Sequence, residues 1–282
     1  MQITNYHTHT VFCDGRAEAV CFADEAVRQG LTSLGFSAHA PVNFPTSWTI
    51  NHARLGAYYD EIHRLKSKYA DNLDIYCGLE TDYFPDIFSD VQSLYAGYQW
   101  DYFIGSIHFI GLRPDGRRWG IDGPHDEFLA GWRELTDCDP LLPIQHYFEA
   151  TREMVRTMKP DIIGHMDKIK IQHRPDCMVP DTHPFFRSQV LATLEEIAST
   201  DCIVEVSTRG IQKEQTDDYF PGRWVIGEMR KMSIPVTISS DAHVPAMISY
   251  GFDQAAKVLR ETGYQTVMML KNGQWVEQSL DN

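Results

Sequence analysis

Short apolar or β-branched runs in this chain are repeatedly followed by a histidine or an acid: His7 and His9, then His39, Glu80, His108, His165, and finally Asp241 with His243. All are metal-ligand types, and neutral imidazole mixed with carboxylate suits Zn, Mn or Fe. Residues two apart in an extended segment face the same way, so His7 with His9, and Asp241 with His243, can each grip together. A lone histidine is usually a hydrogen-bonded structural residue. Repetition at successive strand ends alters that reading, because burying so many imidazoles and acids without a cation leaves costly unpaired polar groups. Eight or nine donors exceed what one ion can use, so two or three divalent ions bridged by Glu80 and water are expected. Asp14, in Phe12-Cys13-Asp14-Gly15, reads as a further ligand or as an Asx turn before Arg16. Asp82 reads better as an outer partner of a ligating histidine, and Asp101 and Asp167 fit that role or none.

The elements that must position these residues follow a β-then-α rhythm. Candidate strands are Ile3 to Tyr6, Ser33 to Phe36, Leu73 to Cys77, Tyr102 to Ile104, Ile162 to Gly164, Ile203 to Val206 and Pro235 to Ile238. Helical spacing marks Arg16 to Gln29, Ala53 to Tyr69 and Ser188 to Ala198. Seven such runs predict a parallel barrel, in which the carboxyl ends of all strands open on one face and distant residues converge there. Thr266 to Leu270 reads as a last strand and Pro114 to Pro124 as a long excursion. No linker divides the 282 residues, so one domain over 1–282 is expected.

Charge narrows the partners. With 25 basic and 39 acidic residues the net charge is -14, which repels a phosphate backbone and disfavours nucleic acid. No apolar run approaches a membrane span. The cysteines, Cys13, Cys21, Cys77, Cys138, Cys177 and Cys202, form no CxxC pair and read as reduced thiols in the cytoplasm. His52, His63, His125, His146, His173 and His183 do not follow strand ends and read as structural, although His125 could approach a substrate.

His7-Thr8-His9-Thr10, Ser37-Ala38-His39, Gly78-Leu79-Glu80, Gly105-Ser106-Ile107-His108, Gly164-His165 and Ser240-Asp241-Ala242-His243 together resemble the polymerase and histidinol phosphatase superfamily over the whole chain. Tyr83-Phe84-Pro85 and the Glu205 to Gly210 stretch resemble its histidinol-phosphate phosphatase branch. The resemblance implies an α/β fold, a distorted (β/α)7 TIM-like barrel, with a trinuclear metal centre. It implies His7, His9, Glu80 and Asp241 on one ion, Glu80, His108 and His165 on a second, and Asp14, His39 and His243 on a third. Two positions depart from the pattern: some relatives carry His where Asp14 stands, and phosphatase members often carry Asn where Ser207 stands.

The expected reaction is hydrolysis of a small phosphate monoester, and the resemblance names L-histidinol phosphate, an intermediate of histidine biosynthesis. A hydroxide bridging the ions would be the nucleophile. Asp241 would orient the attacking water, and His243 or a metal-bound water would protonate the leaving alkoxide. Arg209 and Lys168 would hold the phosphate. Arg117 and Arg118 read as solvated surface, while Trp48, Trp119 and Tyr83 are candidates to line a pocket for an imidazole ring. Alternatives are another phosphoesterase of the superfamily acting on nucleotides, a metal-dependent deaminase, against which Glu80 speaks, and a protein that merely stores metal.

Overall fold

The computed structural model describes residues 2–84, 95, 97–173, 178–213 and 216–281; Pro85 and Cys177, named above, lie outside this set. Its strands, numbered along the chain, are β1 (Ile3–Asn5), β2 (Leu31–His39), β3 (Asp74–Asp82), β4 (Tyr102–Ser106), β5 (Phe109–Leu112), β6 (Arg118–Gly120), β7 (Ile162–Ile163), β8 (Ile203–Ser207), β9 (Val236–Ser239), β10 (Thr266–Lys271) and β11 (Gln274–Ser279). Seven of them form one parallel sheet in the order β1-β2-β3-β4-β7-β8-β9. The ends then meet: His9 N donates to Ala242 O at 2.8 Å and Ala242 N donates to His7 O at 3.1 Å. The sheet thus comes round into a nearly closed barrel, distorted because β7 is two residues long while β2 and β3 run for nine.

Helices cover the outside for the reason their spacing predicts. Ala19–Gln29 buries Ala19, Phe22, Ala23 and Ala26, one stripe of a 3.6-residue period, and stops at Gly30, whose φ of 75° costs a glycine nothing. Leu55–Lys68 buries Leu55, Tyr58, Ile62 and Leu65 against the sheet. The third predicted helix starts earlier than its apolar spacing suggests, at Pro184, because proline is preset for the first turn and His183 Nδ1 accepts from Phe185 N at 3.2 Å. Further helices had no expected range, among them His125–Thr136, Leu142–Thr157, Arg223–Lys231 and Phe252–Glu261, and His146 lies inside the second. No helix among the described residues is long and apolar enough to cross a membrane.

Thr266–Lys271 is the strand expected, though not the last: it pairs antiparallel with β11 in a ribbon separate from the barrel. The turn between them is Asn272-Gly273, with φ of 52° and 73°, the backbone of a tight hairpin. This ribbon closes the amino-terminal mouth: Trp275 packs edge-on against Tyr6 with ring centres 5.1 Å apart, and Leu270 N donates to Tyr6 Oη at 2.9 Å. Chemistry is thereby confined to the opposite mouth. The excursion, in turn, is a hairpin of β5 and β6 tied down at its base. Arg113 Nη2 meets Glu134 Oε1 at 2.7 Å, and Trp119, 1% exposed, donates from Nε1 to Phe128 O at 2.9 Å. Trp119 and the equally buried Tyr83 are core residues.

Candidate metal centre

Every strand of the barrel delivers a chemical group to the carboxyl-end mouth. Glu80, near the end of β3, stands at the middle. Its two oxygens lie 3.1 Å from His7 Nε2, 3.4 Å from His9 Nε2, 2.9 Å from His39 Nδ1, 3.7 Å from His108 Nε2 and 3.1 Å from His165 Nε2. Ser106 Oγ fixes the carboxylate by donating to Oε1 at 2.6 Å. Asp241 Oδ1 stands 3.2 Å from His9 Nε2, 3.7 Å from His7 Nε2 and 3.4 Å from His243 Nδ1. On the outer side, Asp14 Oδ2 lies 3.1 Å from His243 Nε2 and its Oδ1 lies 3.7 Å from His39 Nε2.

Proximity alone does not require a metal; the hydrogen-bond count argues for one. His7 Nε2, His9 Nε2, His39 Nδ1, Glu80 Oε2, Asp14 Oδ1 and Asp241 Oδ1 are all buried and make no hydrogen bond, although they crowd together. Lone pairs aimed at shared space are costly unless cations fill it. Three groups have ligand atoms mutually close enough for one ion: His9, Asp14, His39 and His243; His7, His9 and Asp241; and His39, Glu80 and His108. This grouping differs from the expected one in detail, since His9 and His39 each fall in two groups and His165 stands beside Glu80 without joining any. The donors, imidazole and carboxylate throughout, fit several divalent ions.

Two of these residues sit on backbone that side chains rarely adopt. His165 has φ of 21° and Asp241 φ of 47°, left-handed values held in place by their surroundings. For His165 the constraint is visible: its N–H donates to Glu205 Oε1 at 2.7 Å. Glu205 is fully buried, and its other oxygen receives His7 Nδ1 at 2.8 Å and Ser239 Oγ at 2.6 Å. One carboxylate therefore ties the exits of β1, β7 and β9 to β8 and turns His7 Nε2 toward the cup.

The charges follow from this geometry. Burial works against ionising Glu80 and Asp241, but the surrounding imidazoles, joined at Asp241 by Arg209, hold both well below the ordinary carboxylate range. Burial disfavours a charged His7, yet Glu205, Glu80 and Asp241 override it and push the imidazole up. His9 goes the other way, lowered by burial and by His39 and His243. At His108 burial is outweighed by Asp82, whose Oδ1 lies 2.7 Å from Nδ1, and the imidazole is pushed up to about 9. A ligand must be neutral, so a cation taken up at neutral pH has to displace the His108 proton. Ion affinity should therefore rise as pH approaches 9, with proton release at neutral pH. Calorimetric titration of Mn or Zn in buffers of differing ionisation enthalpy checks this, and uptake without proton release contradicts it.

The structure brings together all nine sequence-derived ligand candidates, His7, His9, Asp14, His39, Glu80, His108, His165, Asp241 and His243, and puts Asp82 in its outer role. Arg209 and Lys168 both face the cleft of about 400 Å³ that opens from the cup, as does Trp48. Asp101 and Asp167 do not belong: Asp101 binds Lys66 at 3.0 Å, and Asp167 receives Lys170 at 2.8 Å and Gly222 N at 2.9 Å. The remaining histidines join none of these groups, and His125 pairs with Gln172 at 3.0 Å. Sequence reasoning missed Glu205, Asp122 and Lys213, and it dismissed Arg118, which lines the cleft with its guanidinium over the Phe84 ring at 5.0 Å.

Residues 5–209 match the model of the PHP domain family. A Deinococcus radiodurans protein named "Probable histidinol-phosphatase" is 30% identical over 93% of this chain and 94% of its own. The histidinol-phosphatase of Bacillus subtilis is 28% identical over 90% of this chain and 98% of its own. The histidinol phosphate phosphatase of Lactococcus lactis, solved with zinc, L-histidinol and phosphate, superposes with a TM-score of 0.74 at 18% identity, covering 97% of this chain and 98% of that one. At that identity the likeness is one of fold.

Proposed function

The chain belongs to the PHP domain family, and on that premise we propose that it is a metal-dependent phosphatase hydrolysing L-histidinol phosphate to L-histidinol and phosphate. Relatives spanning nearly its full length carry that activity in their names. The observation that carries the reading is the set of buried, unsatisfied imidazole and carboxylate atoms opening onto a cleft with cationic residues on its wall. A closed structural site would use up its ligands, whereas this one faces a cavity. Five described cysteines are free thiols, in keeping with a reducing cytoplasm.

His7, His9, Asp14, His39, Glu80, His108, His165, Asp241 and His243 would hold two or three divalent ions. Such ions supply Lewis acidity toward phosphoryl oxygens and bring the pKa of a water toward neutrality. The chain's own residues do the rest. Arg209, 6% exposed, is braced by donation from Nη1 to Gln212 Oε1 at 3.0 Å, leaving its remaining N–H groups for phosphate. Lys168 presents a buried ammonium from the turn after β7, raised despite burial by Asp122, Asp241 and Glu80. Asp241 orients the attacking water, its Oδ2 standing 3.6 Å from Arg209 Nε. His243, at the mouth and neutral as a ligand, positions the water that protonates the leaving alkoxide.

A panel of esters on metal-reconstituted protein tests the substrate. L-histidinol phosphate should exceed nucleoside monophosphates and an aryl phosphate by at least about tenfold in kcat/KM, equal to about 1.4 kcal/mol of transition-state binding. Equal rates on all esters, or ammonia release in place of phosphate, contradict it.

A further inference from the structure

One acid on the cleft wall, Asp122, belongs to none of the three ion-sized groups, although its Oδ2 lies 3.8 Å from Nε2 of the ligand His108. Lys168 Nζ lies 2.6 Å from Asp122 Oδ2, the lysine side chain 7% exposed and the aspartate 39%. The lysine is rooted in the barrel, whereas Asp122 follows β6 of the excursion hairpin, two residues beyond Gly120. Glu127, from the helix behind it, lines the same wall, and Trp48 and Phe109 add aromatic surface. The cleft is therefore bipolar: Arg209, Lys213, Lys168 and Arg118 provide positive charge, and Asp122 and Glu127, beyond the ligands Asp14 and Asp241, negative charge.

We propose that Asp122 is a specificity-determining residue that receives the ammonium group of the substrate, making phosphate monoesters of small amino alcohols the preferred class. The proposal rests on the phosphatase reading and deepens it. A lysine ammonium is a compact charge with three rotatable donors, so Lys168 can turn from Asp122 to a phosphoryl oxygen without leaving its place. An ester lacking a cation then strands Asp122 beside a phosphate dianion. An ester whose amine is separated from the ester oxygen by two carbons, as in L-histidinol phosphate, replaces the lysine and restores the pairing. Discrimination comes from the charge left unpaired by the wrong substrate, a stronger selector than added apolar contact.

The test compares L-histidinol phosphate with its deaminated counterpart, 3-(imidazol-4-yl)propyl phosphate, on the metal-loaded wild type, Asp122→Asn and Asp122→Glu. Wild type should prefer the aminated ester by at least about tenfold in kcat/KM. In Asp122→Asn that ratio should collapse toward unity, mainly through KM, and Asp122→Glu should restore part of it. A ratio unaltered in Asp122→Asn, or an equal loss on both esters accompanied by loss of bound ion through His108, overturns the assignment. A wild type that cleaves aryl phosphate but prefers neither imidazole ester overturns the amine assignment and the histidinol phosphate reading, and one that cleaves no ester overturns the phosphatase reading with them.

Discussion

Replacing Glu80 with glutamine is expected to empty the cup and lower turnover by roughly a thousandfold or more, the scale of losing several kcal/mol of metal-assisted charge stabilisation. Among the described residues no other side chain stands so close to five imidazoles at once, with His39 Nδ1 nearest at 2.9 Å. The amide keeps the shape of the carboxylate and an oxygen for Ser106, so the fold should persist while the bridging charge is lost. Bound metal measured by mass spectrometry, alongside an unchanged circular dichroism spectrum, separates loss of ions from loss of structure. Full metal content and near-normal rates in this variant contradict a bridging role.

Replacing Glu205 with alanine should act differently, through stability first. Three donors lose their acceptor in a site shut off from water: His7 Nδ1, His165 N and Ser239 Oγ. Removing one partner of a buried charged network costs about 3–5 kcal/mol. Burial opposes the charged form of Glu205, but His7, His165 and Ser239 hold its carboxyl below the ordinary value. Its contribution is therefore present above the ordinary carboxylate range and fades as pH falls below about 4 toward the folded value. Urea unfolding at neutral pH should show the full deficit, and a variant as stable as wild type contradicts the bracing role. Ion affinity should fall by about 10–100-fold as well, as for other outer partners of ligands.

Much of this was legible in the sequence, because strand ends in a parallel barrel converge by topology and ligand types are few. The doublet His7 with His9 needed only the period of an extended segment, whereas Asp241, with φ of 47°, leaves that geometry, and it and His243 fall in different ion groups. Glu205 was harder, yet a signal existed: in Ile203-Val204-Glu205-Val206-Ser207 a lone acid interrupts a buried run, and such an acid must be paired. Asn272-Gly273 was likewise a readable hairpin mark, pointing to a further strand paired with Thr266–Lys271. Asp122 and Arg118 carried no such mark. Their places depend on how the β5–β6 hairpin folds back over the mouth, a tertiary outcome set by the Arg113–Glu134 pair and the burial of Trp119. Aromatic type alone could not tell Trp48, on the cleft, from Trp119 and Tyr83, in the core.

Anomalous diffraction from crystals loaded with zinc or manganese is the most direct measurement. Two or three peaks are expected within bonding distance of Glu80, Asp241 and the imidazoles around them. Peaks confined to outlying histidines such as His52 and His63, with none in the cup, would contradict the account.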